Sequence, residues 1–217
     1  MRLESKQRAY TVLGVAFFVV FLIFTYMVRT YDTAPVGFEG AVIGFSRINT
    51  GFHEAFPGDE GCFAASETLG YICLLVAGAN SVIAVVDFIK HRGIADMHRR
   101  NIITMCYYAV VVAFYVLFEF VVINLRPVEA EASYPSSHTV LALCVLYSEF
   151  VLLGFAAERN RFWASLFRIL CFVAMLSMIA FRLLSGVHWL TDICGGILLS
   201  LSLMSLYRAC ICRFCGR

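Results

Sequence analysis

Six long apolar stretches constrain the fold of this chain more than any other feature. A helix needs about 20 mostly apolar residues to cross a bilayer, and such stretches recur at approximately 9–29, 63–89, 102–124, 138–157, 162–184 and 188–208. They use most of the 217 residues, and 61% of the residues are hydrophobic, above the roughly 45–50% of soluble domains. The sequence therefore predicts an all-α integral membrane protein, a single domain of six transmembrane helices over residues 1–217, with no soluble module.

The distribution of basic residues predicts the orientation. If the N-terminus lies in the cytoplasm, thirteen of the seventeen Lys and Arg residues fall inside, and only Arg29, Arg47, Arg126 and Arg182 fall outside. Cytoplasmic loops carry the Lys and Arg excess, so both termini are predicted to be cytoplasmic. The apolar run 11–28 is too long for a signal peptide and lacks a small-residue cleavage site, so we expect it to remain as the first helix. The net charge of +2 then reflects topology and gives no reason to expect nucleic-acid binding.

The nine cysteines predict neither disulfide bonds nor a metal centre. Most lie within apolar stretches, where cysteine behaves as a small hydrophobic residue. Cys62 alone clearly falls outside, and one cysteine cannot form an internal bridge. Cys210, Cys212 and Cys215 cluster in the basic tail without a histidine nearby, whereas a zinc site needs about four ligands. We expect a reduced tail and no bound metal or other cofactor.

The longest outer segment, residues 30–62, predicts an element on the membrane surface. Six apolar residues recur there at spacings of three and four, which favours a helix: Phe38, Val42, Phe45, Ile48, Phe52 and Phe56. Gly37, Gly40, Gly44 and Gly51 weaken that helix. We interpret the segment as an interfacial loop or helix on the outer leaflet with His53 and Glu54 toward water, and an irregular loop with apolar anchors is the alternative.

Both short outer links carry ionisable residues at the membrane boundary. Arg126 and His138 flank the link between the third and fourth stretches, and Arg182, His188 and Asp192 flank the tight link at residues 183–188, where Gly186 can turn the chain. Ionisable groups near lipid are costly and mark function by default. His188 and Asp192 are four residues apart, so on one helix they would share a face, and the carboxylate could orient the imidazole as a nucleophile or base.

The remaining polar residues of these links suit a phosphate group. Ser136 and Ser137 lie where the fourth helix should begin, and a helix N-terminus offers free N–H groups to an anion. Arg126 and Arg182 would supply planar cations for phosphate oxygens. No carboxylate cluster suited to magnesium is evident, so the pattern indicates phosphoryl transfer without a metal.

Three blocks resemble the motifs of the type 2 phosphatidic acid phosphatase superfamily of membrane lipid phosphatases. The matching residues are Arg126-Pro127, then Pro135-Ser136-Ser137-His138, then Arg182, His188 and Asp192 in an Arg-x5-His-x3-Asp pattern. Ser137 stands where the family has glycine, and Phe181 stands where it has serine before the arginine. The six-helix plan and the outward placement of the motifs agree with the family, so the resemblance extends over essentially the whole chain.

The resemblance implies a role for each matching residue. His188 would attack phosphorus and form a phosphohistidine, and Asp192 would orient it. His138 would protonate the leaving alkoxide and then activate water. The phosphoryl oxygens would be held by four residues, namely Arg126, Arg182, Ser136 and Ser137.

One departure from the family concerns Glu119. It occupies the family's lysine position, seven residues before Arg126, and faces the same side of a helix two turns away. A carboxylate repels phosphate unless it is paired or protonated, so Glu119 is a candidate modulator of substrate choice that could pair with Arg126 or Arg182. Arg47 of the outer segment is a candidate replacement cation.

These observations predict a membrane phosphatase acting on lipid phosphate monoesters or pyrophosphates at the outer leaflet. A lipid phosphotransferase of the same superfamily and a non-catalytic relative that binds lipid phosphates remain alternatives. The expected partners are the lipid phosphate and the bilayer, and the sequence does not indicate an oligomeric state. Small size and the absence of a glycosylated loop favour a bacterial plasma membrane.

Overall fold

A computed structural model describes residues 2–157 and 160–216, which form seven α-helices and one 3₁₀ turn. In chain order these are α1 (Arg2–Thr30), the 3₁₀ turn (Phe38–Gly40), α2 (Ser46–Ala55), α3 (Glu60–His91), α4 (Arg99–Phe120), α5 (Ser137–Ala156), α6 (Arg161–Leu184) and α7 (Leu190–Cys215). All of these helices except α2 are long and apolar enough to cross a membrane. The prediction of an all-α protein with six spanning helices is therefore confirmed.

Helices α5 and α7 form the centre of the bundle. Half of the residues in each of their apolar spans are buried (50%), against 17% in each of the other four spans. α7 packs along α1, α4 and α5, and α5 also packs against α3 and α6. The outer faces of the other helices are rich in exposed Val, Leu, Ile and Phe, which suits contact with lipid. The two motif-bearing helix starts, those of α5 and α7, are thus held by the most buried helices.

Close approach of α1 to α7 depends on small residues. A Cβ at Gly14 would lie 3.2 Å from the Leu206 backbone nitrogen, so only glycine allows this separation. Ser202 of α7 donates a hydrogen bond to the Gly14 carbonyl oxygen at 2.8 Å. Small residues and interhelical hydrogen bonds of this kind hold membrane helices together where no hydrophobic driving force acts between them.

The alternation of the spans places all the motif residues at one end of the bundle. α4 and α6 end there, and α5 and α7 begin there, so the links at 121–136 and 185–189 lie side by side. Gly186 has a φ of +70° and lies against the backbone of Gly58, which fixes the second link beneath the segment that enters α3. The start of α1, the end of α7 and the loop 92–98 lie at the opposite end.

The outer segment before α3 is only partly helical. Ala34 and Ile43 form an antiparallel bridge around the 3₁₀ turn, and α2 covers residues 46–55 alone. The predicted helical stripe is therefore wrong for its first members, because the chain turns back at Gly40, where φ is +81°. Glu54 is exposed as expected, but His53 is half-buried with its ring 5.6 Å from that of Trp189.

Some of the other sequence predictions agree with the structure and others do not. All nine cysteines are free in this structure. The third span ends at Phe120 and not at 124, and the last begins at Leu190 and not at 188. Arg159 and Arg217, two of the basic residues assigned to the cytoplasm, lie outside the described residues.

Candidate active site

His188 lies just before α7 in a chain of polar contacts. Its side chain is buried, and its Nδ1 lies 3.0 Å from Ser133 Oγ. Ser133 Oγ donates to Asp192 Oδ2 in turn, because a carboxylate can only accept. The serine oxygen is thus left to accept the proton on Nδ1, and Nε2 accepts from Arg182 Nη2 at 2.8 Å. The contacts select the imidazole tautomer whose Nε2 carries a free electron pair, the form that a nucleophile requires.

Asp192 acts on His188 through Ser133 and not directly. The distance from Asp192 Oδ2 to His188 Nδ1 is 3.7 Å, too long for a hydrogen bond. The prediction that both residues share one helical face is wrong, because α7 begins at Leu190 and His188 precedes it. The fully buried carboxylate also accepts from the Trp189 backbone at 2.9 Å and from Asn124 Nδ2 at 3.1 Å. Asp192 therefore both caps α7 and anchors the serine relay.

Burial controls the charge of His188. Desolvation lowers the pKa of His188 below its ordinary value of 6.5, and the Arg182 charge acts in the same direction although Asp192 opposes it. The imidazole consequently stays neutral to lower pH than a free histidine. A neutral imidazole retains one unprotonated ring nitrogen with a free electron pair.

His138 and Arg182 share one carboxylate, that of Glu67 on α3. Glu67 Oε1 lies 3.2 Å from His138 Nε2 and 2.9 Å from Arg182 Nη1. Arg182 is fully buried and also donates to Ser66 Oγ at 3.1 Å. His138, Glu67, Arg182, His188 and Ser133 thus form one continuous chain of contacts. The carboxylate of Glu67 thus lies within reach of both the His138 ring and the Arg182 guanidinium.

The position of His138 depends on Gly70 of α3. A Cβ at Gly70 would lie 2.8 Å from His138 Cδ2 and 3.2 Å from Nε2, so a larger residue would push the ring aside. The Nδ1 atom of His138 is buried without a hydrogen-bond partner among the described residues. An unpaired buried polar atom is costly, and it leaves this nitrogen ready for a bound group.

Arg126 is held by the link that carries it. Its Nη1 contacts the carboxylates of Glu129 and Glu131, the latter at 3.3 Å, and its backbone N–H donates to the Glu131 carbonyl oxygen at 3.0 Å. Its Nε is buried and has no partner in the described part of the chain. The arginine is thus oriented, while its positive charge is partly compensated.

The start of α5 presents free backbone donors beside these side chains. The helix begins at Ser137 with Ser136 as its N-cap, and no side chain caps it. The Ser136 N–H donates to the Asp192 carbonyl oxygen at 3.0 Å, which ties this helix start to that of α7. Uncapped N–H groups at a helix start are suited to binding an anion.

A cavity of about 490 Å³ lies beside this site, and it is lined by His138 and Ser133 but not by His188, Arg182 or Asp192. Its polar end is lined by Glu67, Arg126, Ser133, Ser137 and His138. Its apolar part lies between α3 and α4, and it is lined by Tyr71, Leu74, Val112, Tyr115 and Phe118, among others. A charged end joined to an apolar groove suits an amphiphile.

Glu119 lines the same cavity, but it makes neither predicted ion pair. Arg126 contacts Glu129 and Glu131, and Arg182 contacts Glu67. Glu119 itself is exposed on the last turn of α4. The candidate replacement cation Arg47 instead lies 3.6 Å from Asp32, and it is not among the residues that line the cavity.

Three residues of this arrangement were missed by the sequence analysis. Ser133 and Asn124 belong to the polar link before α5, and nothing in their spacing distinguishes them from loop residues. Glu67 was detectable, because a carboxylate near the start of an apolar stretch is costly unless it has a partner. Its partners Arg182 and His138 are 115 and 71 positions away, so the sequence alone could not name them.

The fold and the site together define a multi-pass membrane protein with a two-histidine centre at one end of its helix bundle. A sequence model of the PAP2 superfamily matches residues 68–213. The chain belongs to the PAP2 superfamily, which confirms the resemblance of its motifs. Glu67, Ser66 and the outer segment lie before the matched residues.

A solved structure supports the same architecture. The chain is similar to the crystal structure of a transmembrane PAP2-type phosphatidylglycerolphosphate phosphatase from Bacillus subtilis, with a TM-score of 0.61 and 19% sequence identity. The match covers 91% of this chain and 94% of the other. At 19% sequence identity, this similarity shows only that the two chains share a fold. Comparison with curated protein sequences gives no significant match.

Proposed function

We propose that this protein is a membrane lipid phosphatase that hydrolyses lipid phosphate monoesters or pyrophosphates through a phosphohistidine intermediate. The observation that carries the proposal is the contact of His188 Nδ1 with Ser133 Oγ, which itself donates to Asp192; these contacts favour the tautomer with an unprotonated Nε2. Membership of the PAP2 superfamily supports the same chemistry.

In the first step, the electron pair of His188 Nε2 attacks phosphorus. The hydrogen bond from Arg182 to Nε2 must break for this attack, and the freed guanidinium then binds a phosphoryl oxygen. The bond between phosphorus and the lipid oxygen breaks, and protonated His138 gives its proton to that oxygen. The positive charge that develops on His188 is stabilised by Asp192 through Ser133.

In the second step, water attacks the phosphorus of the phosphohistidine. Neutral His138 takes the proton of the water, the bond to Nε2 breaks, and its electron pair returns to His188. Inorganic phosphate leaves, and His138 is again protonated for the next turnover. Arg126 and the N–H groups at the start of α5 hold the phosphoryl oxygens in both steps, so the gain comes from positioning and charge stabilisation.

The cavity supports a lipid substrate and not a soluble one. Its polar end can hold the phosphate, and its groove between α3 and α4 is lined by apolar and aromatic side chains at membrane depth. Phosphatidic acid, phosphatidylglycerol phosphate and undecaprenyl pyrophosphate all fit this description. The alternatives are a phosphotransferase, in which an alcohol resolves the phosphohistidine, and a non-catalytic protein that binds lipid phosphates.

Release of inorganic phosphate from those three lipids by the purified protein tests the proposal. We expect hydrolysis of at least one lipid and no loss of activity in EDTA, because no step uses a metal. A new phosphate ester formed with an added alcohol would identify the transferase, and binding without turnover would identify the non-catalytic relative. Activity that EDTA abolishes and magnesium restores would contradict the metal-free mechanism.

Substitution of Glu119 should change substrate preference. Glu119 lines the cavity without an ion pair among the described residues, so Glu119→Gln should keep measurable activity. Glu119→Lys should shift preference toward more highly charged head groups such as the pyrophosphate, because it adds a cation beside the phosphate. The measurement is phosphate release across the lipid panel, with Glu54→Lys as a matched control on exposed α2.

Two results would contradict this account of Glu119. An unchanged preference in Glu119→Lys would show that the residue does not sense the head group. If the unaltered protein is inert on every lipid and Glu119→Lys is active, the chain is a disabled relative and the catalytic proposal fails.

The site should face the outside of the cell. A Cys placed at exposed Ala130 should react with a membrane-impermeant thiol reagent in intact cells, whereas a Cys at Asn160 should not. Ser133 is unsuitable as the probe position because it is buried against His188. Both variants need a Cys62→Ser background, since Cys62 lies at the same end as Ala130. The reverse labelling pattern would place the site in the cytoplasm.

A further inference from the structure

The opposite end of the bundle carries a cluster of three metal-ligating side chains, Asp87 and His91 of α3 and His98 at the start of α4, called here the Asp87 cluster. His98 Nδ1 lies 2.7 Å and His91 Nδ1 lies 3.2 Å from the same oxygen, Asp87 Oδ1. All three ligand atoms lie within 4.8 Å of one another. The side chain of Asp87 is 9% exposed, while those of His91 and His98 are 38% and 55% exposed, so the cluster is anchored on its inner side and open to solvent on the other.

A second layer of contacts fixes the carboxylate. Asp87 Oδ2 accepts from the His98 backbone N–H and from Asn101 Nδ2, both at 2.9 Å. Oδ1 is thereby turned toward the two imidazoles. Second contacts that orient a first ligand are typical of protein metal sites.

The spacing of the ligand atoms is close to that around a tetrahedral ion. With bonds of about 2.1 Å, tetrahedral geometry places ligand atoms about 3.4 Å apart. The separation between His91 Nδ1 and Asp87 Oδ1, 3.2 Å, nearly meets this value. The distance from His98 Nδ1 to Asp87 Oδ1, 2.7 Å, must increase when an ion binds. The His98 side chain is exposed and can move to allow this.

The ligand set selects the class of ion. Calcium and magnesium prefer six or more oxygen ligands, whereas two imidazoles and one carboxylate suit zinc and its neighbours. The adjacent cations Lys90, Arg92, Arg99 and Arg100 oppose ions held mainly by charge. This repulsion acts on every divalent ion alike, so the selection of the ion rests on the ligand types.

We propose that the Asp87 cluster binds one divalent transition-metal ion, of the zinc type, with its fourth position open to water. The ion would join the end of α3 to the start of α4 across the loop 92–98. It would stabilise the folded chain by an amount that grows with the logarithm of the ion concentration relative to its dissociation constant. It takes no part in the phosphatase reaction, which lies at the other end of the bundle.

Binding requires the displacement of protons. In the metal-free protein, His98 Nδ1 can donate a proton to Asp87 Oδ1 at 2.7 Å. His91 Nδ1 can donate to the Asp87 backbone carbonyl oxygen, which lies 2.9 Å away, nearer than Oδ1 at 3.2 Å. Coordination uses the Nδ1 electron pairs, so these protons must move to Nε2 or leave to solvent. Hydrogen bonding without a metal also accounts for the short distances among Asp87, His91 and His98. The experiment must therefore distinguish a metal-bound cluster from a cluster that is only hydrogen-bonded.

The test uses protein purified without a histidine tag and freed of metal with EDTA. Titration with Co²⁺ should give one equivalent of bound ion per chain and visible absorption bands of four- or five-coordinate cobalt, which Zn²⁺ displaces. Zn²⁺ should also raise the melting temperature. His91→Ala and the double variant His91→Ala/His98→Ala should lose these signals, while His53→Ala should keep them.

The outcomes separate this inference from the proposed phosphatase function. Phosphate release by the two variants should match that of the unaltered protein, which also shows that they fold. Absence of saturable binding, or equal binding by the double variant, would overturn the metal site and identify hydrogen bonding only. Neither result bears on hydrolysis, and an inert phosphatase that still binds Co²⁺ would refute the proposed function alone.

Discussion

Replacing His188 with Ala is expected to reduce lipid phosphate hydrolysis to background. His188 Nε2 is the atom that would form the bond to phosphorus, and no other histidine in the described chain is joined to an aspartate through a serine. The His138 ring instead lies against a glutamate, with its Nε2 3.2 Å from Glu67 Oε1. The measurement is inorganic phosphate released per molecule of purified variant on the best lipid of the panel.

Loss of activity in this variant has meaning only if the protein still folds. His188 is buried and contacts Arg182, so its removal leaves a buried donor without its partner, at a cost of about 1–3 kcal/mol. His188→Gln retains a polar group there and should be equally inactive with a smaller loss of stability. His53→Ala, at the same end but outside the cavity lining, should retain activity. Full activity in either His188 variant would eliminate it as the nucleophile.

Replacing His138 with Ala is expected to slow hydrolysis of a lipid phosphate by about 10²–10⁴-fold, the usual contribution of a general acid or base. The nucleophile remains, so turnover should be slow and not absent. An aryl phosphate separates the two roles of His138, because an aryl oxide leaves without being protonated. With this substrate we expect one rapid equivalent of aryl alcohol per protein, followed by slow turnover limited by attack of water.

The comparison of alkyl and aryl phosphates also tests directly whether His138 protonates the leaving group. Equal losses on alkyl and aryl phosphates without a rapid first equivalent would mean that His138 does not protonate the leaving group. Glu67→Gln removes the carboxylate beside His138 Nε2 and serves as a second probe. It should weaken hydrolysis of the alkyl phosphate more than release of the aryl alcohol in the first turnover.

Much of the fold was predictable because its signal is local. Each spanning helix is indicated in the sequence by a run of apolar residues long enough to cross the bilayer. The part of the chain that the structure describes contains six such helices. The motif residues were also predictable as neighbours, because successive spans return the chain to the same side. Family membership confirms the resemblance that the motifs indicated.

Details of the site could not be predicted because they depend on contacts between distant segments. Ser133 intervenes between His188 and Asp192 since α7 starts two residues later than the apolar pattern indicates. The backbone of Trp189 bonds to Asp192 and fixes that start. Glu67 meets Arg182 only once α3 and α6 have packed together.

The prediction for Glu119 failed for a similar reason, because it relied on residue spacing within one helix. Its spacing from Arg126 predicted a shared helical face, but α4 ends at Phe120 and Arg126 lies in the following link. Arg126 takes its acidic partners from its own link, at Glu129 and Glu131. A charged residue in a short loop can form its ion pairs with other residues of the same loop and not with a neighbouring helix.

Detection of the phosphorylated intermediate tests the central claim most directly. Protein mixed with its preferred lipid phosphate should be quenched in alkali, in which phosphohistidine survives, and its peptides analysed by mass spectrometry. The account predicts one phosphoryl group on His188 in the unaltered protein, a greater amount of it in His138→Ala, and none in His188→Ala. A phosphoryl group on any other residue, or turnover in which no phosphorylated peptide forms, would contradict it.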